Sequence, residues 1–333
     1  MHHTRSSALS RIFRTHSPFL ISLRRPGSLV MSTVSAMTPS GAPNPRPSAS
    51  LVVVNELNEI LLVHRNPKAS SFAGMHVFPG GNFDSKQDQS LAMTAIRETF
   101  EESGLLLATS VSSKPSISDE ILDKARSAIH QQIFPFHEFL QAEGLQADVD
   151  LLLPFTQWVT PIDQPRRFHT QFFVTFLSKA PSAGFSSGTR QERIPKHDGG
   201  QEVIEARFVH PKSALAECRQ GKISFMPPQY YILSTLADIL HGSVNTPEQR
   251  ERARTLSYGL FGRMVINPRP LAKDANGRTI LTYEGDETRG GSQGRLHRAV
   301  VKIRPGAASE ITLIRNFDIF SEVEAQVAGS AKL

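Results

Sequence analysis

The chain has 333 residues, 39% of them apolar and 20% charged, which allows a sizeable core and excludes a wholly disordered protein. Its net charge of +6 belongs to the N-terminus: residues 1–50 hold six arginines and no acid, leaving 31 basic against 31 acidic residues elsewhere. That neutral remainder argues against a nucleic-acid partner, and no apolar run approaches the ~18 residues of a membrane-spanning helix.

In chain order, residues 1–48 form a Ser- and Arg-rich arm, the composition of a mitochondrial transit peptide and equally of a disordered tail. A start at Met31 or Met37 would remove most of it. "SLVVV" and "EILLVHR" flank "NELNE" and predict a hairpin. The Gly/Pro-rich loop "HVFPGGNFDSKQDQ" leads to a helix over Ser90–Ser103, ended by Gly104 at a C′ position. Residues 108–118 read as a Ser-rich loop, and 117–146 as a helical insertion broken near Pro135. "LLLPFTQWVTP" and "RFHTQFFVTFLSKA" predict strands, followed by a long polar loop, "PSAGFSSGTRQERIPKHDGG". The strand "QEVIEARFV" precedes a helix carrying the single cysteine, Cys218, which reads as a structural thiol. "PPQYYILSTLADIL" and "TPEQRERARTL" predict two more helices, the first opened by its prolines. Residues 246–328 form an extension whose last seventy residues are β-prone. Ala331-Lys332-Leu333 resembles the S-K-L type of peroxisomal address, which implies an import receptor as partner and the peroxisomal matrix as location. The acid-free arm is a competing mitochondrial address.

The helix over 90–103 poses the chemical question. At ~100° per residue, Ala92, Ala95, Ile96, Thr99 and Ser103 share a small-residue packing stripe. Glu98, Glu101 and Glu102 fall together on the adjacent arc, at i, i+3 and i+4. Carboxylates converging on one point cannot all ionise without a cation, and a hard divalent ion with oxygen ligands resolves the repulsion. Taken alone, the same cluster would also suit a solvated acidic face.

Arg97-Glu98-Thr99-Phe100-Glu101-Glu102-Ser103-Gly104-Leu105, preceded by Gly80-Gly81, resembles the Nudix box G-x5-E-x7-R-E-U-x-E-E-x-G-U, where U is aliphatic. The resemblance implies an α+β fold, an α/β/α sandwich with a mixed sheet, over about residues 49–245. It implies hydrolysis of a pyrophosphate bond in a nucleoside diphosphate derivative, with Mg²⁺ or Mn²⁺ on Glu98, Glu101 and Glu102. Arg97 and Gly104 would be structural, and Gly80 and Gly81 would let the loop approach the phosphates. A general base often comes from outside the box; Glu202 and Glu205 are candidates, with Glu202 preferred for its place beside the polar loop. Two departures stand out. From Gly81 to Arg97 is sixteen residues where the pattern has fourteen, and the family's first Glu falls on Gln89, for which Asp88 offers a replacement.

Within the family, the coenzyme A diphosphatases carry L-L-T-x-R-[SA]-x3-R-x3-G-x3-F-P-G-G. "LLVHRNPKASSFAGMHVFPGG" keeps Leu61, Leu62, Arg65, Gly74, Phe78, Pro79, Gly80 and Gly81 in register, but has Val63, Asn66 and Ser70 at the other positions. Arg65 and Lys68 are therefore expected to bind substrate, Lys68 standing in for the missing arginine. Pro227-Pro228-Gln229-Tyr230, Gln157–Pro161 and Arg167–Thr170 resemble segments of the peroxisomal acyl-CoA diphosphatase group. The expected substrate is CoA or acyl-CoA. NADH, ADP-ribose, RNA caps and a non-catalytic nucleotide-sensing role remain alternatives.

Overall fold

Leu51–Val54 is an unbroken apolar run because its strand, β1 (Arg46–Val54), is covered on both faces. In the computed structural model, residues 43–69, 71–111, 117–177, 202–304 and 307–322 are described, without the side chains of 303–309. Residues 1–42 of the basic arm, Ser70, the polar loop 181–200 and Ala331-Lys332-Leu333 lie outside the described residues. The predicted hairpin is limited to its turn: β2 (Ile60–Arg65) meets β1 only where Ile60 faces Val54. Beyond that point β3 (His76–Val77) pairs with β2 and β4 (Gly80–Asn82) with β1, so the Gly/Pro-rich loop fills the gap with two short strands.

The carboxylate helix is α1 (Leu91–Ser103), followed by β5 (Ala108–Ser110). The insertion supplies α2 (Asp119–His130), α3 (Phe136–Glu143) and β6 (Leu145–Ala147). Ala108–Ser110, expected as loop, is a strand because β6 returns to pair with it, a partner that no local pattern announces. Then come β7 (Leu153–Val159), β8 (Phe168–Phe176) and β9 (Val203–Val209). β8 runs parallel to β1 along its whole length, from Arg46 facing Phe168 to Val54 facing Phe176. The Arg46 N–H donates to Arg167 O at 2.9 Å. The fold therefore begins at Arg46 rather than after residue 48: "PRPS" has linker composition, but a long-range partner makes it a strand.

Four helices follow: α4 (Pro211–Arg219), α5 (Pro227–Ala237), α6 (Pro247–Tyr258) and α7 (Leu260–Arg263). The β-prone extension resolves into β10 (Val265–Ile266), which joins the main sheet beside β7, and a separate antiparallel sheet. That sheet is β11 (Arg269–Lys273), β12 (Thr279–Thr282), β13 (His297–Arg304) and β14 (Ala307–Arg315), in chain order.

The fold is α+β, a mixed main sheet between two layers. Period-2 alternation along β1 and β2 divides the core. Leu51, Val53, Leu61 and Val63 pack toward α1, α2 and α3, while Val52, Val54, Ile60 and Leu62 pack toward α4, α5, α6 and the C-terminal sheet. Each such fully buried side chain stabilises by roughly 1.5–3 kcal/mol.

α1 carries its signals at both ends. Ser90 Oγ accepts from the Met93 N–H, and Gly104 takes a left-handed backbone, φ 75°, while its N–H closes on Phe100 O. A Cβ at Gly104 would also meet Arg126 Nη1 at 3.4 Å. Gly104→Ala is expected to destabilise the protein by about 1–2 kcal/mol, the cost of a left-handed non-glycine residue, read as a lower denaturant midpoint with unchanged slope.

Candidate active site

α1 is buried almost all round, so its acidic arc is not a solvated face: Glu101 is 7% and Glu102 3% exposed. Arg97 holds the arc together from within. Its guanidinium donates from Nε and Nη2 to Asp88, from Nη1 to Glu98 at 2.9 Å and Glu101 at 2.8 Å, and from Nη2 to Asn82 O. Arg97 thus reaches two of the three carboxylates of the arc. Burial works against its charge, and Asp88, Glu98 and Glu101 override that and hold its pKa above the ordinary arginine value.

Asp88 takes the place next to Gln89 that the pattern gives to a glutamate. Its two oxygens accept from Arg97, the Thr94 hydroxyl and the Asp84 N–H. The two extra loop residues are absorbed in one tight turn, where the Gln87 and Asp88 N–H groups both donate to Asp84 O. Gln87 in turn accepts from the Phe136 N–H, tying the loop to the start of α3.

The adjacent glycines serve close approach. A Cβ on Gly80 would lie 2.4 Å from Ala49 O on β1, and one on Gly81 2.4 Å from the Glu98 carboxylate. The Gly80 N–H donates to Glu102 at 3.0 Å. From β2, Arg65 reaches Glu102 at 2.7 Å and Glu202 at 3.1 Å. Arg65 thus links Glu202 to the carboxylate arc.

A cavity of about 1270 Å³ opens on this cluster. Glu98, Glu101, Glu102, Arg65, Gly80, Gly81, Arg97 and Glu202 line it, whereas Lys68 is exposed and Glu205 lies on β9 away from the lining. Trp158, Thr160, Phe168, Pro227, Pro228 and Gln229 also face it, so all three sequence segments singled out above contribute to it. Arg167 does not: buried, it donates to Thr160 O and Pro43 O. Residues that the sequence reading missed include His130, whose Nδ1 sits 3.3 Å from Glu101, and Arg166. Leu281 and Val301 bring the C-terminal sheet into the wall. Their only sequence signal was β-propensity, which names no partner.

The donor set fits a hard divalent ion. Burial first, then the neighbouring carboxylates, pushes Glu98 up to about 7 and Glu102 up to about 8, against attraction from Arg97 and Arg65 respectively. Carboxylates so placed gain from a cation that brings charge without a proton.

The family described as NUDT19 Nudix domain matches residues 85–236. Similar proteins include nudix hydrolase 7 of Caenorhabditis elegans, 25% identical over 65% of this chain and 71% of that protein. The acyl-coenzyme A diphosphatase NUDT19 of Xenopus laevis is 25% identical over 54% of this chain and 59% of its own length. Among solved structures, a NUDIX hydrolase from Alicyclobacillus acidocaldarius has 25% identity and a TM-score of 0.46, covering 59% of this chain and 92% of that one.

The carboxylate shifts set a pH dependence. Glu98 and Glu102 bind protons more tightly folded than unfolded, so their contribution to stability is complete below the unfolded value of 4.5 and is lost as pH rises through about 7 and 8. In chelator, the denaturant midpoint is expected to fall between pH 5 and pH 8 (roughly, from these shifts), and saturating Mg²⁺ to remove most of that fall.

Proposed function

We propose that the chain is a Nudix hydrolase near the NUDT19 group and that it cleaves the diphosphate of CoA or acyl-CoA to 3′,5′-ADP and (acyl-)4′-phosphopantetheine. The observation that carries the reading is the size and lining of the cavity. Besides the carboxylate arc and Arg65, its wall carries the apolar side chains of Trp158, Phe168, Phe172, Met226, Pro227 and Leu281. A diphosphate at the carboxylates would leave room in the same cavity for a long arm packed on these side chains. Retention of Arg65, Gly74 and Phe78-Pro79-Gly80-Gly81 in the coenzyme A diphosphatase pattern supports the same substrate.

In this reading Glu98, Glu101 and Glu102 would hold Mg²⁺ or Mn²⁺, which would supply positive charge against the diphosphate oxygens and lower the pKa of a water. The chain supplies the rest. Arg97 fixes Glu98 and Glu101, the Gly80 N–H and Arg65 fix Glu102, and Gly81 leaves the space that Glu98 occupies. Glu202, held by Arg65 at the cavity edge, takes the proton of the attacking water. Water oxygen bonds to one phosphorus, the bridging P–O bond breaks, and two phosphomonoesters leave.

Gln229 adds a point of recognition. It is buried on the cavity wall, and its Oε1 has no hydrogen-bond partner among the described residues. The pantetheine arm carries two amide N–H donors suited to such an acceptor.

Purified protein with Mg²⁺ should convert acyl-CoA and CoA to 3′,5′-ADP faster than it turns over NADH, ADP-ribose or capped RNA. Turnover of one of these with none of CoA species would overturn the substrate assignment. Glu101→Gln and Glu102→Gln are each expected to lower kcat by at least ~10²-fold at unchanged fold; an unchanged rate would remove these residues from the chemistry.

Gln229→Leu should move stability and binding in opposite directions. Removing an unpaired buried acceptor is neutral or stabilising, while loss of its substrate bond raises KM about 5-fold, or ~1 kcal/mol. A raised thermal midpoint with unchanged KM would show that Gln229 does not touch substrate.

A further inference from the structure

On the face of β2 opposite the carboxylate arc, three ligand-type side chains stand in one row. His64 faces His76 of β3 across one edge and Glu205 of β9 across the other. One ring nitrogen from each histidine and one carboxylate oxygen of Glu205 lie within 4.8 Å of one another. The two imidazoles stack at 4.2 Å between centroids with 15° between their planes.

We propose that His64, His76 and Glu205 bind a second divalent metal ion of the zinc type, which ties β2, β3 and β9 together behind the active site.

Three observations support the site. His76 is 7% exposed, and its Nδ1 is buried with no hydrogen-bond partner among the described residues, a polar atom that normally costs stability unless something binds it. Among the described residues Glu205 has no strong partner of its own: Arg207 approaches it only to 3.9 Å and is committed to Glu217. Counting Glu205, Arg207 and Glu217, the local formal charge is −1, which favours a cation. Lastly, the geometry is close to what is needed. Ligand atoms around a four-coordinate zinc stand ~3.4 Å apart, from bonds of about 2.0–2.2 Å, so closing from 4.8 Å is within side-chain reach. Glu205 is on the exposed side, leaving the remaining position to water.

Two imidazoles and one carboxylate also separate this site from the other in kind. Imidazole nitrogen favours Zn²⁺ and its neighbours in the transition series, whereas an all-carboxylate set suits Mg²⁺ or Mn²⁺. The consequences reach the active site through the backbone. Only Phe78 and Pro79 separate β3 from Gly80-Gly81, and β9 begins one residue after Glu202. A metal joining these strands would therefore hold the glycine loop and Glu202 in register with Arg65.

The test is Zn²⁺ retention by the full-length chain dialysed against a large excess of Mg²⁺, which occupies the carboxylate site. One equivalent of Zn²⁺ should remain, and Zn²⁺ should raise the thermal midpoint. His64→Ala and Glu205→Gln should each weaken retention by more than about 10²-fold, because even outer partners of a metal ligand cost 10–100-fold. These two positions are less buried than His76, and circular dichroism of each variant checks its fold. Co²⁺ in place of Zn²⁺ should give the strong visible absorption of a nitrogen-ligated four-coordinate ion in the native chain and lose it in both variants. Zn²⁺ retained equally by folded His64→Ala and Glu205→Gln overturns the proposal. Retention abolished by Glu98→Gln or Glu101→Gln, but not by these variants, overturns it as well.

Discussion

The buried guanidinium of Arg97 is the interaction on which the rest of the site depends. Three carboxylates, from Asp88, Glu98 and Glu101, and one backbone carbonyl, Asn82 O, share its five donors. Without that charge, packing Asp88 and Glu101 into an interior would be prohibitive. With it, the loop after β4, the turn at Asp84–Asp88 and the middle of α1 become one rigid object. Arg65 repeats the device at the other end of the arc, bonding Glu102 and Glu202. Between them the two arginines hold all three glutamates of the arc, which line the cavity.

This arrangement explains why the helix carries small residues where it meets the sheet. Ala95, Thr99 and Ser103 let α1 lie close over Leu51 and Val53, and Thr99 and Ser103 satisfy their hydroxyls on carbonyls four residues back. Close seating in turn brings Glu98 against Gly81 and Glu102 against the Gly80 N–H. A bulkier stripe would lift the helix and open both contacts. The Gly80 Cα likewise has no room for a Cβ above Ala49 O, so helix, loop and β1 fix one another's spacing.

Local features of this design were legible in the sequence. Ser90 and Gly104 marked the ends of α1, the i, i+3, i+4 spacing gathered the glutamates, and Asp88 was the nearest carboxylate to the position that Gln89 vacates. Features that depend on distant partners were not legible. Arg46–Ser48 reads as the end of the basic arm because its pairing partner, β8, lies more than a hundred residues away. His130 closes the last turn of an insertion helix and carried no motif, yet tertiary packing sets it against Glu101. Lys68, expected to stand in for the missing arginine of the upstream pattern, is exposed and outside the cavity lining, a placement that sequence spacing does not reveal. The C-terminal strands announced their β-propensity and nothing of the cavity wall they complete.

Strand alternation connects the two faces of the molecule. His64 and Arg65 are neighbours on β2, so they must project to opposite sides of the sheet. Arg65 turns toward α1 and meets the carboxylates; His64 turns the other way and meets His76 and Glu205. The upstream sequence pattern specifies an arginine at 65 and leaves 64 unrestricted, so the histidine is not demanded by the diphosphate site. Its partners are not local either, since Glu205 reaches it only across the β2–β9 ladder. Any displacement of β2 along its axis would shift Arg65 against Glu102 and His64 against His76 together, because both rest on one register. A constraint applied on one face is therefore felt on the other through a single peptide unit, with no moving domain required.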